Sequence, residues 1–112
     1  MANFEQGDVV KVPFPYTDRS TRQFRPALVV SSPDVESAHG LLWVVMITSA
    51  QNRAWAGDLP ISGFMAAGLP APSVIRITKI ATIEATQAER LGRVPKALRQ
   101  KVLAGIASAV GM

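Results

Sequence analysis

Arg25 stands directly before Pro26 and the apolar run "ALVV", at the mouth of what reads as a buried strand. A guanidinium in that place has two readings. It is either a solvated strand end paired with Asp18 or Asp34, or a positive charge held in place for an anion. A surface pair of the first kind contributes about 0–1 kcal/mol. Arg19 and Arg22 precede it in "YTDRSTRQ", so three guanidiniums fall close together in and beside a polar loop. A guanidinium fork matches two phosphate oxygens and stays protonated in nearly all settings. Thr48 and Ser49 close another apolar run, "LLWVVMITS", where hydroxyls at a strand end can give or accept hydrogen bonds. Taken alone, Thr48 is also an ordinary strand residue, because threonine favours strands.

Other chemistries fall away. There is no cysteine, which removes disulfides, thiolate nucleophiles and zinc-finger architecture. The single histidine, His39, lies in "ESAHGL", a turn where it has no assigned role. The acids are scattered without a metal-binding spacing, so neither a metal nor a cofactor is expected. "GLPAPS" is no phosphate cradle, because its prolines lack the N–H donors such a loop needs. The net charge of +4 and a pI near 10.1 point toward polyanionic partners. A second basic cluster, Arg90, Arg93, Lys96, Arg99 and Lys101, reads as the solvated face of a helix.

These residues need elements to position them. The 112 residues fit one domain spanning 1–112. Hydrophobic residues make up 48% and charged ones 18%, below the roughly 25% usual for soluble domains, so a partner subunit is expected to cover leftover apolar surface. No apolar run is long enough for a transmembrane helix, and "MANFEQGDVV" lacks signal-peptide features; a cytoplasmic protein is expected, with no membrane partner.

"GDVVKVPFP" predicts a strand ending at Pro13 and Pro15, "PALVVSS" a second, and "LLWVVMITS" a third, apolar enough for burial on both sides with Trp43 in the core. "PDVESAHG" reads as a surface loop between the last two. A short strand is expected near residues 59–61 within irregular connections, where Trp55 would rim a site or a dimer contact. "SVIRIT" and "KIATIE" read as two further strands, with Arg76 pointing away from the apolar face. Thr86 and Glu89 form a capping-box pattern for a short helix that Gly92 would end. Pro95 suits the first turn of a last helix, whose Leu98, Val102, Leu103, Ile106 and Val110 share one face. Short strands followed by a C-terminal helix predict a small, bent antiparallel barrel with a helix packed against it.

Taken in order, "GDVVKVPFPYTD", "RPALVVSS", "VVMITS" and "KIATIEATQAERLGRV" resemble the MazF/PemK family of toxin endoribonucleases of type II toxin–antitoxin systems. The resemblance runs from residue 7 to about residue 110. It implies a mainly β fold with α, an SH3-like barrel with a C-terminal helix, assembled as a homodimer. It implies metal-independent, sequence-selective cleavage of single-stranded RNA by 2′-hydroxyl attack, leaving a 2′,3′-cyclic phosphate and a 5′-hydroxyl. It also implies an acidic antitoxin protein that blocks the site. The family's catalytic arginine falls on Arg25 and its threonine on Thr48. The resemblance places RNA binding on Arg76, and the residues beside these positions extend it to Tyr16, Arg19, Arg22 and Ser49, with Tyr16 stacking on a base and the arginines tracking phosphates. Some members carry an acidic residue two positions after the arginine matched by Arg76; this chain has Thr78 there, which bears on base recognition and turnover. The alternative reading is a non-enzymatic or weakened member of the same fold, one that binds a protein target such as gyrase, or RNA without efficient turnover.

Overall fold

The structure, a computed structural model, describes residues 2–13 and 23–112. Its elements run β1 (Asp8–Pro13), β2 (Phe24–Val29), α1 (Pro33–His39), β3 (Leu41–Ser49), β4 (Leu59–Pro60), β5 (Ser73–Glu84), a single 3₁₀ turn (Ala85–Gln87), β6 (Glu89–Arg93) and α2 (Lys96–Ala109). The six strands form one antiparallel sheet in the order β4-β5-β3-β2-β1-β6.

Alternation along the central strands divides the interior into two layers. Leu42, Val44 and Met46 of β3 pack with Val10, Val12, Ala27, Val29, Ala81 and Ile83 on one face. Val45 and Ile47 pack with Val9, Leu28, Ile75 and Val102 of α2 on the other. The middle of β3 is therefore buried on both sides, as its unbroken apolar run predicts. Trp43 is the exception. It is 52% exposed rather than in the core, because no described residue covers the sheet there: its cross-strand partner Thr82 and nearby Ile80 are exposed too.

The open sheet is curled into a half-barrel by backbone contact between β6 and the segment after β4. A Cβ on Gly92 would lie 2.4 Å from the backbone of Ala67, and one on Gly68 would lie 2.1 Å from the Leu91 carbonyl oxygen. Gly68 also has φ +81°, where side chains are disfavoured. Only glycine allows the two backbones to approach so closely.

Four local expectations are corrected. Residues 33–39 form α1 rather than a loop, with Pro33 at its start and Gly40 in the left-handed region at its end. Its Glu36 is buried and accepts the N–H groups of Asn3 and Phe4 at 2.9 and 3.0 Å, which ties the chain start to the helix. "SVIRIT" and "KIATIE" form one strand, β5. Its pairing jumps from Val45–Ile80 to Met46–Arg76, so residues 77–79 bulge at the point where the two runs read as separate. Thr86 and Glu89 do not cap a helix. Thr86 lies inside the 3₁₀ turn, and Glu89 opens β6, which gains a full ladder by pairing with β1. Finally, Arg90 and Arg93 belong to β6 and pair with Asp8 rather than lying on a helix.

Pro95 immediately precedes α2. Val102 is buried, Leu98 and Ile106 pack against the same layer, and Val110 at the helix end is exposed. No helix among the described residues is long and apolar enough to cross a membrane.

Candidate functional site

The pairing of β2 with β3 reaches Ala27–Met46. Because side chains alternate, Arg25, two residues before Ala27, and Thr48, two residues after Met46, emerge on the same face as that pair. Met46 also pairs with Arg76, so Arg76 projects to that face, opposite to Ile75, as its position in the strand predicts. Three side chains distant in sequence thus meet where the strands run out. They line a cavity of about 590 Å³ together with Ser49, Asn52, Arg53, Trp55, Lys79 and the segment Leu69 to Ser73. Among the described residues, four cations line it (Arg25, Arg53, Arg76 and Lys79) and no carboxylate does. Tyr16, Arg19 and Arg22 lie outside the described residues.

Arg25 is exposed at the strand entry, and its Nη2 donates to the Gln23 side-chain oxygen at 3.3 Å. Thr48 is half-buried, and its hydroxyl oxygen accepts a hydrogen bond from the Asn52 side-chain amide. A tight turn after β3 sets this up: the Asn52 N–H donates to the Ser49 carbonyl at 3.0 Å, and the Gln51 N–H to the Ser49 hydroxyl at 3.2 Å. Ser49 therefore acts in the turn as well as at the cavity rim.

Arg76 differs from Arg25. It is only 8% exposed, held by Asp58 through Nε at 3.2 Å and Nη2 at 2.9 Å, with Nη2 also donating to the Arg53 carbonyl at 2.8 Å. Its guanidinium carbon lies 4.2 Å from the centre of the Trp55 ring. Asp58 in turn accepts the Trp55 N–H at 2.9 Å, while its own N–H donates to the Trp55 carbonyl at 3.1 Å. Thr78 is exposed in the β5 bulge, and the carboxylate facing Arg76 comes instead from Asp58. Asp58, Asn52 and Lys79 were missed by sequence reasoning. The Gly57–Asp58 pair after Trp55 was the available signal for a turn, with Gly57 at φ +87°.

The hydrogen bond from Arg76 holds the Asp58 carboxyl below the usual carboxylate range, against the opposing effect of burial. A depressed folded-state pKa stabilises the fold above the unfolded value, about 3.9, and that stabilisation is lost as pH falls through the folded value. Urea denaturation of the parent and Asp58→Asn should therefore differ most above about pH 5, with the gap closing on further acidification. A gap independent of pH would show that this ion pair does not contribute.

His39 sits in the last turn of α1 and does not line the cavity. No group of three or more potential metal-ligating side chains occurs among the described residues.

Residues 5–110 match the model of a family described as PemK-like, MazF-like toxin of type II toxin-antitoxin system. No curated protein matches the chain. Among solved structures, MazF in a MazE-MazF complex from Deinococcus radiodurans aligns with TM-score 0.79 and 22% identity, covering 97% of each chain. An endoribonuclease in complex with its cognate antitoxin, from a mycobacterial species, aligns with TM-score 0.74 and 18% identity over 100% of this chain and 97% of that one. The Mycobacterium tuberculosis toxin MazF-mt6 aligns with TM-score 0.71 and 20% identity over 94% of this chain and 97% of that one. At these identities the structures establish the fold; the family rests on the match over residues 5–110.

Proposed function

Because the chain belongs to the PemK-like, MazF-like toxin family of type II toxin–antitoxin systems, we propose that it is an endoribonuclease cleaving single-stranded RNA in the cytoplasm. The observation that carries this reading is the meeting of Arg25 and Thr48 on one face of a cationic cavity whose described lining has no carboxylate. A phosphodiester is the anion such a cavity suits, and Arg25 is the cation at its strand-end rim.

In the reaction, the 2′-oxygen bonds to phosphorus as its proton leaves, and the bond to the 5′-oxygen breaks as that oxygen takes up a proton. The products are a 2′,3′-cyclic phosphate and a 5′-hydroxyl. The Arg25 fork holds two non-bridging oxygens and spreads the charge that builds in the pentacoordinate state. The Thr48 hydroxyl accepts from Asn52, which leaves its own hydrogen to donate toward the phosphate or the leaving oxygen. Ser49 and Arg53 add donors to the RNA; Tyr16, Arg19 and Arg22, outside the described residues, are kept as further RNA-binding residues on the sequence alone. Charge on the leaving oxygen is stabilised by protein donors, so cleavage proceeds in EDTA.

The protein acts as a homodimer, and an acidic antitoxin segment competes with RNA for the same cations. The complexes of the Deinococcus and mycobacterial relatives with their antitoxins support this partner. The test is to incubate purified protein with cellular RNA and EDTA and map the new 5′ ends. The expected result is 5′-hydroxyl ends at one short recurring sequence. Intact RNA, or cleavage that needs added magnesium, would overturn the reading.

A further inference from the structure

We propose that Trp55 is a stacking platform for one unpaired nucleobase of the bound strand, with Arg76 supporting the ring and Asp58 as the positioning residue. This rests on reading the cavity as an RNA site.

Arg76 lies against one face of the indole and cannot swing away, since its guanidinium is held by both oxygens of Asp58 and by the Arg53 carbonyl. The same carboxylate accepts the Trp55 N–H, so one acid fixes both the ring's backbone and the cation behind it. Trp55 as a whole is 44% exposed and lines the cavity, so with Arg76 against one face the other is the face a base would take. Arg76 is thereby neutralised, and its role is to support the ring rather than to hold a phosphate. Arg25, Arg53 and Lys79 line the same cavity, with the Lys79 ammonium 5.9 Å from the ring centre. An aromatic face set among cations is the arrangement by which proteins take unstacked bases from a single strand. A duplex offers no free base face, so the platform also selects against paired RNA. The competing role for Trp55 is a lid that shields the Asp58–Arg76 pair from water.

Fluorescence separates the two. In a Trp43→Phe background, Trp55 is the sole tryptophan; Trp43 lies outside the cavity and is solvent-exposed. Titration with dye-labelled 2′-fluoro RNA, which lacks the attacking hydroxyl, reports binding by anisotropy and stacking by quenching of Trp55 emission. Quenching that tracks binding is expected, and weaker quenching in Asp58→Asn. In cleavage assays Trp55→Ala should raise KM roughly 5- to 150-fold with a smaller change in kcat, and Trp55→Phe should retain most of the affinity. RNA that binds without quenching, together with an unchanged KM in Trp55→Ala, would overturn the platform and leave the lid as the role of Trp55. If the parent protein neither binds nor cleaves RNA, the nuclease reading itself fails and the platform with it; cleavage without quenching removes the platform alone.

Discussion

Arg25→Ala should lower the rate of RNA cleavage by about 10³-fold or more while leaving the fold unchanged. Loss of a single transition-state donor costs about 10²–10³ in rate, and Arg25 would supply two donors and a full charge. Its place in the fold makes the experiment clean. It is exposed at the entry to β2, where its contacts include a surface hydrogen bond to Gln23, and substitutions at exposed positions usually shift stability by no more than about 0.5 kcal/mol. Arg25→Lys keeps the charge but loses the planar fork, and should recover only part of the activity. Single-turnover cleavage of a fluorogenic RNA measures the loss, with circular dichroism and thermal melting as controls. Activity within tenfold of the parent would remove Arg25 from the chemistry.

The second large effect concerns stability, on the other side of the sheet's edge pairing. Asp8 is 0% exposed, and its carboxylate joins the chain start to β6. Its Oδ2 accepts the Glu5 N–H at 2.9 Å and Arg90 Nη2 at 2.7 Å. Its Oδ1 accepts Arg93 Nε at 3.1 Å and Nη2 at 2.9 Å. The carboxylate therefore holds β6 to the start of β1, beside the register shift at Val9 and Val10. Breaking a buried ion pair by removing one partner costs about 3–5 kcal/mol. Both guanidiniums are half-exposed and can regain water, which places Asp8→Ala near the lower end, about 3 kcal/mol. For a chain of this size that is a fall in melting temperature on the order of 10–20 °C. Asp8→Asn should lose less, since one carbonyl acceptor survives. Urea denaturation of the three proteins checks the order; a loss below about 1 kcal/mol for Asp8→Ala would show that the β1–β6 ladder holds without this network.

Much of the proposed site was legible because the residue types it calls for stand next to strand ends. Arg25 before Pro26, and Thr48 and Ser49 closing "LLWVVMITS", stand out without any coordinates, and the limits of β3 follow directly from the apolar run. Trp43 shows the limit of that reasoning. Its apolar neighbours argue for burial, yet burial depends on what covers a face, and among the described residues nothing covers Trp43, which is 52% exposed. The Thr86–Glu89 pattern fails for a related reason: a local capping signal yields to the ladder that β6 forms with a strand far away in sequence.

What the sequence by itself determined is the mainly β chain with a C-terminal helix, because alternation and propensity act over neighbouring residues; Arg25 and Thr48 were singled out only by the resemblance of the ordered motifs that hold them. Only the tertiary structure decided which residues surround those groups. Asp58 and Arg76 are separated along the chain by the whole of β4 and its connections, and Asp8 lies 82 and 85 residues from Arg90 and Arg93. No local pattern encodes such pairs. They are set by strand register and by glycine-permitted backbone contacts, which depend on the free energy of the whole sheet.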